Sequence, residues 1–92
     1  MVNVEDEEIL EAMRQTARLC AVFGEPAAAA AVAGLGRAVQ EGIVSRKETA
    51  AVVVTGNGLK DVQSAIRANA PPIDLPPSLD ALAQVLRERR LA

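Results

Sequence analysis

Val-Val-Val-Thr-Gly-Asn-Gly-Leu-Lys-Asp, at residues 52–61, is the stretch that decides the fold prediction. The apolar and β-branched run over residues 50–54 predicts a buried strand, covered on both faces as strands of parallel sheets are. The glycines and asparagine at 56–58 predict a tight turn directly after it. Thr55 then stands at the carboxyl end of the strand, where ligands bind in open α/β sheets.

The rest of the chain is predicted to be mainly helical. Residues 2–4 alternate and are compatible with a short strand. Helical spacing of apolar residues predicts helices over about 7–22 and 26–41, and a third from 59 to about 68. Asp6 is expected to cap the first helix, Pro26 to begin the second, and Gly42 to end it in left-handed geometry. Ser78 is expected to cap a last helix. The apolar positions of that helix are Leu79, Leu82, Val85, Leu86 and Leu91.

These elements predict an α/β chain that is incomplete by itself. A lone parallel-type strand cannot satisfy its ladder hydrogen bonds without neighbouring strands. We therefore expect residues 1–92 to form a single partial α/β domain, which is either the end of a larger protein or a protomer that completes its sheet with a partner.

Composition limits the function classes. Half of the 92 residues are apolar, but many are alanine and Phe23 is the sole aromatic residue, so we expect close packing and exposed apolar surface. A net charge of −2 argues against nucleic-acid binding by bulk electrostatics. The absence of histidine removes the usual metal ligand and the usual general base.

Cysteine usage and the lack of a leader pattern predict a cytoplasmic protein. Cys20 is the single cysteine, which excludes an internal disulfide, and its place on an apolar helix face predicts a buried, inert thiol. The acidic amino end does not have the form of a signal peptide. The alanine-rich stretch 27–33 is too short to span a membrane, so no membrane contact is expected.

Three segments together resemble the carboxyl-terminal part of the threonine synthase family. They are residues 6–12 (DEEILEA), residues 24–35, which begin GEPA, and residues 55–61 (TGNGLKD). Members of that family are pyridoxal-phosphate enzymes of the tryptophan-synthase β-like class, also called fold type II. The resemblance therefore implies the carboxyl-terminal fragment of a three-layer fold and a lyase of threonine biosynthesis that converts O-phosphohomoserine and water to threonine and phosphate.

The resemblance also implies roles for particular residues. Thr55 would place its hydroxyl at the pyridine nitrogen of the cofactor, a contact that tunes how strongly the ring accepts electrons. Gly56, Asn57 and Gly58 would form the turn on the cofactor side, where glycine lets the backbone approach the ring. Glu25 would line the same side of the cleft from the start of a helix.

Other parts of the family's site are absent from this sequence. The Schiff-base lysine and the glycine-rich phosphate loop lie in upstream segments of the family, and neither Lys47 nor Lys60 matches the Schiff-base position. We therefore expect the isolated chain to be inactive and not to bind pyridoxal phosphate alone. The expected partners are the missing amino-terminal part of the enzyme and further copies in a homo-oligomer.

Simpler and rival interpretations stay open at this point. Residues 56–58 fit an ordinary tight turn, Thr55 a strand-end hydroxyl that bonds its own turn, and Glu25 a carboxylate stabilised by the helix dipole. A non-catalytic module that self-associates through the alanine helix and residues 50–54 is one rival. A related pyridoxal-phosphate threonine or serine dehydratase is another, although such enzymes usually carry serine or another residue where Thr55 stands.

Overall fold

The computed structural model describes residues 1–90 as a helical chain. Its four α-helices are α1 (Asp6–Cys20), α2 (Pro26–Gln40), α3 (Val62–Ala68) and α4 (Leu79–Glu88), and a short 3-10 helix spans Gly58–Lys60. Within residues 1–90 there is no strand or sheet, and the β-type pairing is an isolated antiparallel bridge between Gly24 and Asn57. The predicted α/β fold is therefore wrong for this chain.

Both predicted strands are corrected for the same physical reason. Residues 2–4 and 50–54 have no regular secondary structure. Val53 is 76% exposed and Val54 is exposed as well, so the run is not buried on both faces. A strand exists only when a neighbouring strand pairs with its backbone, and the described part of the chain supplies none. The apolar run over residues 50–54 does not specify which other strand would pair with it.

The helix ends follow local sequence signals. Helix α1 begins at Asp6 and its cap is Glu5, each one residue earlier than expected; the Glu5 amide donates to the Glu8 carboxylate at 2.7 Å. Pro26 begins α2, and Gly42 follows α2 in the left-handed region with φ +73°, as predicted. Ser78 caps α4 as predicted, its hydroxyl accepting from the amide of Ala81 at 3.3 Å.

The core is small and rich in alanine. Met13 is fully buried and Leu10 nearly so, and both lie on α1 against α2. Ala29 of α2 and Ala68 of α3 complete this contact, where their small side chains permit close helix approach. Arg14 extends from α1 and donates from Nη1 to the Ala68 carbonyl at 2.9 Å. This arrangement confirms the expected close packing.

Much apolar surface remains uncovered, also as expected. The exposed large apolar residues include Leu19, Ile43, Val53, Leu59, Val62, Ile66, Leu79 and Leu82. Cys20 is exposed at the end of α1, so the prediction of a buried thiol is wrong. Among residues 1–90, no helix combines the length and apolar character needed to cross a bilayer.

An ion pair joins the first two helices. The Arg37 guanidinium of α2 donates to the Glu8 carboxylate of α1 at 2.5 Å, and both side chains are about one-third exposed. The hydrogen bond from Arg37 and a second from the Glu5 amide hold the pKa of Glu8 below its ordinary value, while the pKa of Arg37 is raised by its bond to Glu8. The pair thus favours the charged forms in the folded state.

We predict that this pair makes stability depend on acid pH. Because the folded-state pKa of Glu8 is lowered, its contribution is fully present above the ordinary glutamate pKa and is lost as pH falls through the lowered value. The urea midpoint of Glu8→Gln should lie below that of the wild type at pH 7, and the two midpoints should converge in acid. A difference that does not shrink on acidification would contradict the prediction.

Candidate functional site

A short backbone pairing places the predicted turn against the segment between α1 and α2. The Glu25 amide donates to the Gly56 carbonyl at 2.8 Å, and the Gly58 amide donates to the Phe23 carbonyl at 2.9 Å. These two bonds flank the bridge between Gly24 and Asn57. The structure therefore brings Glu25 together with Gly56, Asn57 and Gly58; with Thr55, these four residues are called the turn site below.

The glycines of the turn site are required by packing inside this chain. A Cβ atom on Gly56 would overlap the Glu25 carboxylate, and one on Gly58 would overlap the Phe23 ring. A Cβ on Gly24 would lie 2.8 Å from Cγ1 of Val54. The close approach that Gly56 and Gly58 allow is thus filled by Glu25 and Phe23, which belong to the chain itself.

A contact between opposite charges lies beside the turn site. The Glu25 side chain is only 15% exposed, and its Oε2 lies 3.8 Å from Nζ of Lys60, whose side chain is mostly exposed. Lys60 follows the turn directly, so this contact adds a second link between the start of α2 and the turn. At this distance and exposure it is a weak interaction.

The remaining polar residues of the motif form caps. Asn57 Oδ1 accepts from the Leu59 amide at 2.9 Å and so caps the 3-10 helix. Asp61 Oδ1 accepts from the Ser64 amide at 3.0 Å and caps α3, and this bond lowers the pKa of Asp61. Local folding thus explains two of the motif's polar residues.

Thr55 lies at the surface beside these contacts. Its side chain is exposed, and within residues 1–90 its hydroxyl makes no hydrogen bond. Two cavities of about 610 Å³ each have linings that include Phe23 and Asn69 but not Thr55. The alternative in which Thr55 bonds its own turn is not what the structure shows. Because the residue is exposed, a ligand or another part of a protein could reach its side chain.

Sequence reasoning missed two neighbours of the turn site and left a third open. Phe23 and Gly24 supply the other half of the backbone pairing. Local sequence spacing could not predict this pairing, because it joins residues 33 positions apart (Gly24 and Asn57). The sequence left the partner of Lys60 open, and the structure places Oε2 of Glu25 3.8 Å from its Nζ. Among the described residues no group of three acidic, cysteine or histidine side chains could hold a metal ion.

Comparison with known proteins agrees with the motif. No family model matches the chain. Threonine synthase of Methanocaldococcus jannaschii is 44% identical over 85 residues, which cover 92% of this chain and 21% of the relative. The chain is similar to threonine synthases. The Methanosarcina acetivorans enzyme is 40% identical over 84 residues and the Mycobacterium leprae enzyme 46% identical over 80, covering 91% and 87% of this chain.

The similarity covers nearly the whole chain but a small part of each relative. The chain spans about a fifth of the length of the threonine synthases it matches (21%, 21% and 22% for these three). The similarity therefore supports a threonine-synthase-like origin for this segment.

Proposed function

We propose that this chain, residues 1–92, is the carboxyl-terminal portion of a threonine-synthase-like lyase, a partial domain that contributes one side of a cofactor cleft. The complete enzyme would convert O-phosphohomoserine and water to threonine and phosphate. The observation that carries the proposal is 44% identity over 92% of the chain to a threonine synthase of which those residues form 21%.

The turn site fits one edge of pyridoxal phosphate. Thr55 offers a neutral hydroxyl that is exposed and makes no hydrogen bond in the described part of the chain, as a partner for the pyridine nitrogen must. When bound, the cofactor supplies an electron sink for carbanion chemistry. Neither the anchoring amine nor the phosphate cradle is assigned to this chain, so its residues account for the ring edge alone.

Each residue of the turn site has a defined task in this proposal. The Thr55 hydroxyl orients the ring through its nitrogen without transferring a charge to it. Gly56, Asn57 and Gly58 set the backbone path that presents Thr55, and the partly buried Glu25 carboxylate, which packs against Gly56, supports that path. Glu25 therefore acts as a positioning residue. With the remaining machinery supplied by other segments, the isolated chain is expected to be inactive.

A chimera tests the proposal. The 85 residues of the Methanocaldococcus jannaschii enzyme that match this chain are replaced by the corresponding residues of this chain, and phosphate release from O-phosphohomoserine is measured. We expect a folded chimera that binds pyridoxal phosphate and releases phosphate, whereas the enzyme with the segment deleted should do neither. A folded, cofactor-loaded chimera without activity would contradict the proposed function.

Within that chimera, Thr55→Val should lower turnover while leaving the fold intact. The substitution keeps the shape of the side chain but removes the hydroxyl, and loss of one neutral hydrogen bond of about 0.5–1.5 kcal/mol should lower kcat by about 2- to 10-fold. Thr49→Val is the matched control, because Thr49 is also exposed but lies outside the turn site. Equal turnover in the two variants would remove Thr55 from the mechanism.

Self-association without catalysis remains a second candidate, favoured by the exposed apolar residues. The version in which residues 50–54 pair as strands has no support, because those residues form no strand. A threonine or serine dehydratase would share the cofactor; assay of the same chimera with threonine and serine separates that candidate from the lyase.

A further inference from the structure

Helix α3 and the segments on either side of it form an apolar groove. Leu59, Val62 and Ile66 recur at three- and four-residue spacing and are all exposed, Ile66 by 63%. The groove has a volume of about 610 Å³ and is bounded by Phe23 on one side and by Pro71 and adjoining residues on the other. An exposed apolar surface of this form usually marks a site of association.

Helix α4 carries a matching apolar stripe. Leu79 is 84% exposed, Leu82 is exposed, and Val85 and Leu86 extend the same face by one turn. No described residue of α4 is buried: Leu79 and Leu82 are exposed, and Val85 and Leu86 are half-buried. Amphipathic helices bind apolar grooves through residues at this spacing.

The segment between the groove and α4 is rich in proline. Pro71, Pro72, Pro76 and Pro77 fix four φ angles in this short connection, and proline-rich segments are extended and stiff. The molecule is accordingly elongated, with extents of 51 × 27 × 21 Å. A stiff, extended connection opposes folding back and favours exchange of the helix between two molecules.

Charge also matches the two surfaces. Arg67 is the charged residue of the groove lining, and Asp80 is the acidic residue in the first turn of α4. Opposite charges at the edge of an apolar contact fix the direction in which a helix lies in its groove. In a contact between these two surfaces, the amino end of α4 would lie beside Arg67.

We propose that α4 of a second copy of this chain binds the groove formed by α3, Phe23 and Pro71–Pro72. Reciprocal exchange of the two helices gives a closed dimer with two identical contacts. This proposal is independent of the proposed function, since it needs neither cofactor nor substrate.

Sedimentation equilibrium of the full chain over a range of concentrations tests the exchange. The wild type should dimerise, while Ile66→Glu in the groove and Leu82→Glu on α4 should each raise the dimer dissociation constant by about tenfold or more, as central apolar contacts do. Mixing the two variants should give a heterodimer, because the intact groove of Leu82→Glu can bind the intact α4 of Ile66→Glu. Val53→Glu, at an exposed apolar residue outside the groove, is the control and should dimerise like the wild type.

Several results would overturn the proposal. A wild type that stays monomeric over the whole concentration range is one. Loss of the dimer in Leu82→Glu but not in Ile66→Glu would indicate pairing of α4 with α4, and equal loss in Val53→Glu would indicate non-specific association. Ile66→Gln and Leu82→Gln, with circular dichroism to verify folding, repeat the test without added charge.

Discussion

Replacement of Gly58 by alanine is expected to destabilise the fold by about 1–3 kcal/mol, the usual cost of overpacking a buried position. Gly58 is buried, and a Cβ atom there would overlap the ring of Phe23. The ring itself cannot flex, and the hydrogen bond from the Gly58 amide to the Phe23 carbonyl holds the two backbones close, so either the ring must turn away or the turn must shift. Urea unfolding of the full chain measures the change in free energy.

Gly36→Ala is the matched control for that measurement. Gly36 lies inside α2, and a Cβ atom there meets nothing within 4 Å. Alanine should therefore stabilise the chain by about 0.5–1 kcal/mol through helix propensity. Opposite signs for the two substitutions are the expected result. A neutral Gly58→Ala would show that the contact between Phe23 and the turn does not exist in solution.

Met13→Ala should remove about 2–5 kcal/mol, the cost of truncating a fully buried side chain together with the cavity that remains. Met13 is fully buried at the contact of α1 with α2, where its neighbours include Ala29 and Ala68. Alanines have no longer side chain with which to fill the space. Since a domain's whole stability is typically about 5–15 kcal/mol, this loss is a large fraction of the total.

Leu19→Ala on the same helix provides the comparison. Leu19 is exposed, and its truncation should change the free energy of unfolding by no more than about 0.5 kcal/mol. Thermal unfolding followed by circular dichroism separates the two variants. Similar losses for both would mean that the described core is not the one that stabilises the chain.

The helices could be predicted because their signals are local. Pro26, Gly42 and Ser78 act within one turn of themselves, and each acts where expected. A strand over residues 50–54 could not be predicted in the same way, because a strand depends on a neighbouring strand that no local pattern specifies. The same β-branched run that predicts a buried strand lies exposed when no sheet is available.

The turn site was predictable in its residue types but not in its supports. Glycine, asparagine and threonine in that order indicated a turn that exposes backbone, and the turn is present. Phe23 could not be connected with Gly58, since contact between distant segments depends on how α1 and α2 pack. The exposure of Cys20 was missed for a related reason, because helical spacing gives a face without saying how far along the helix that face stays covered.

The hydrogen bonds from the Gly58 and Glu25 amides have an energetic consequence for any molecule that meets Thr55. Immobilising one residue's backbone costs about 1–2 kcal/mol in conformational entropy. This loop is ordered when the chain folds. The entropy cost of ordering it would therefore not reduce the affinity for an incoming ring. Thr55 is thereby carried on a preorganised support whose rigidity is built before any ligand arrives.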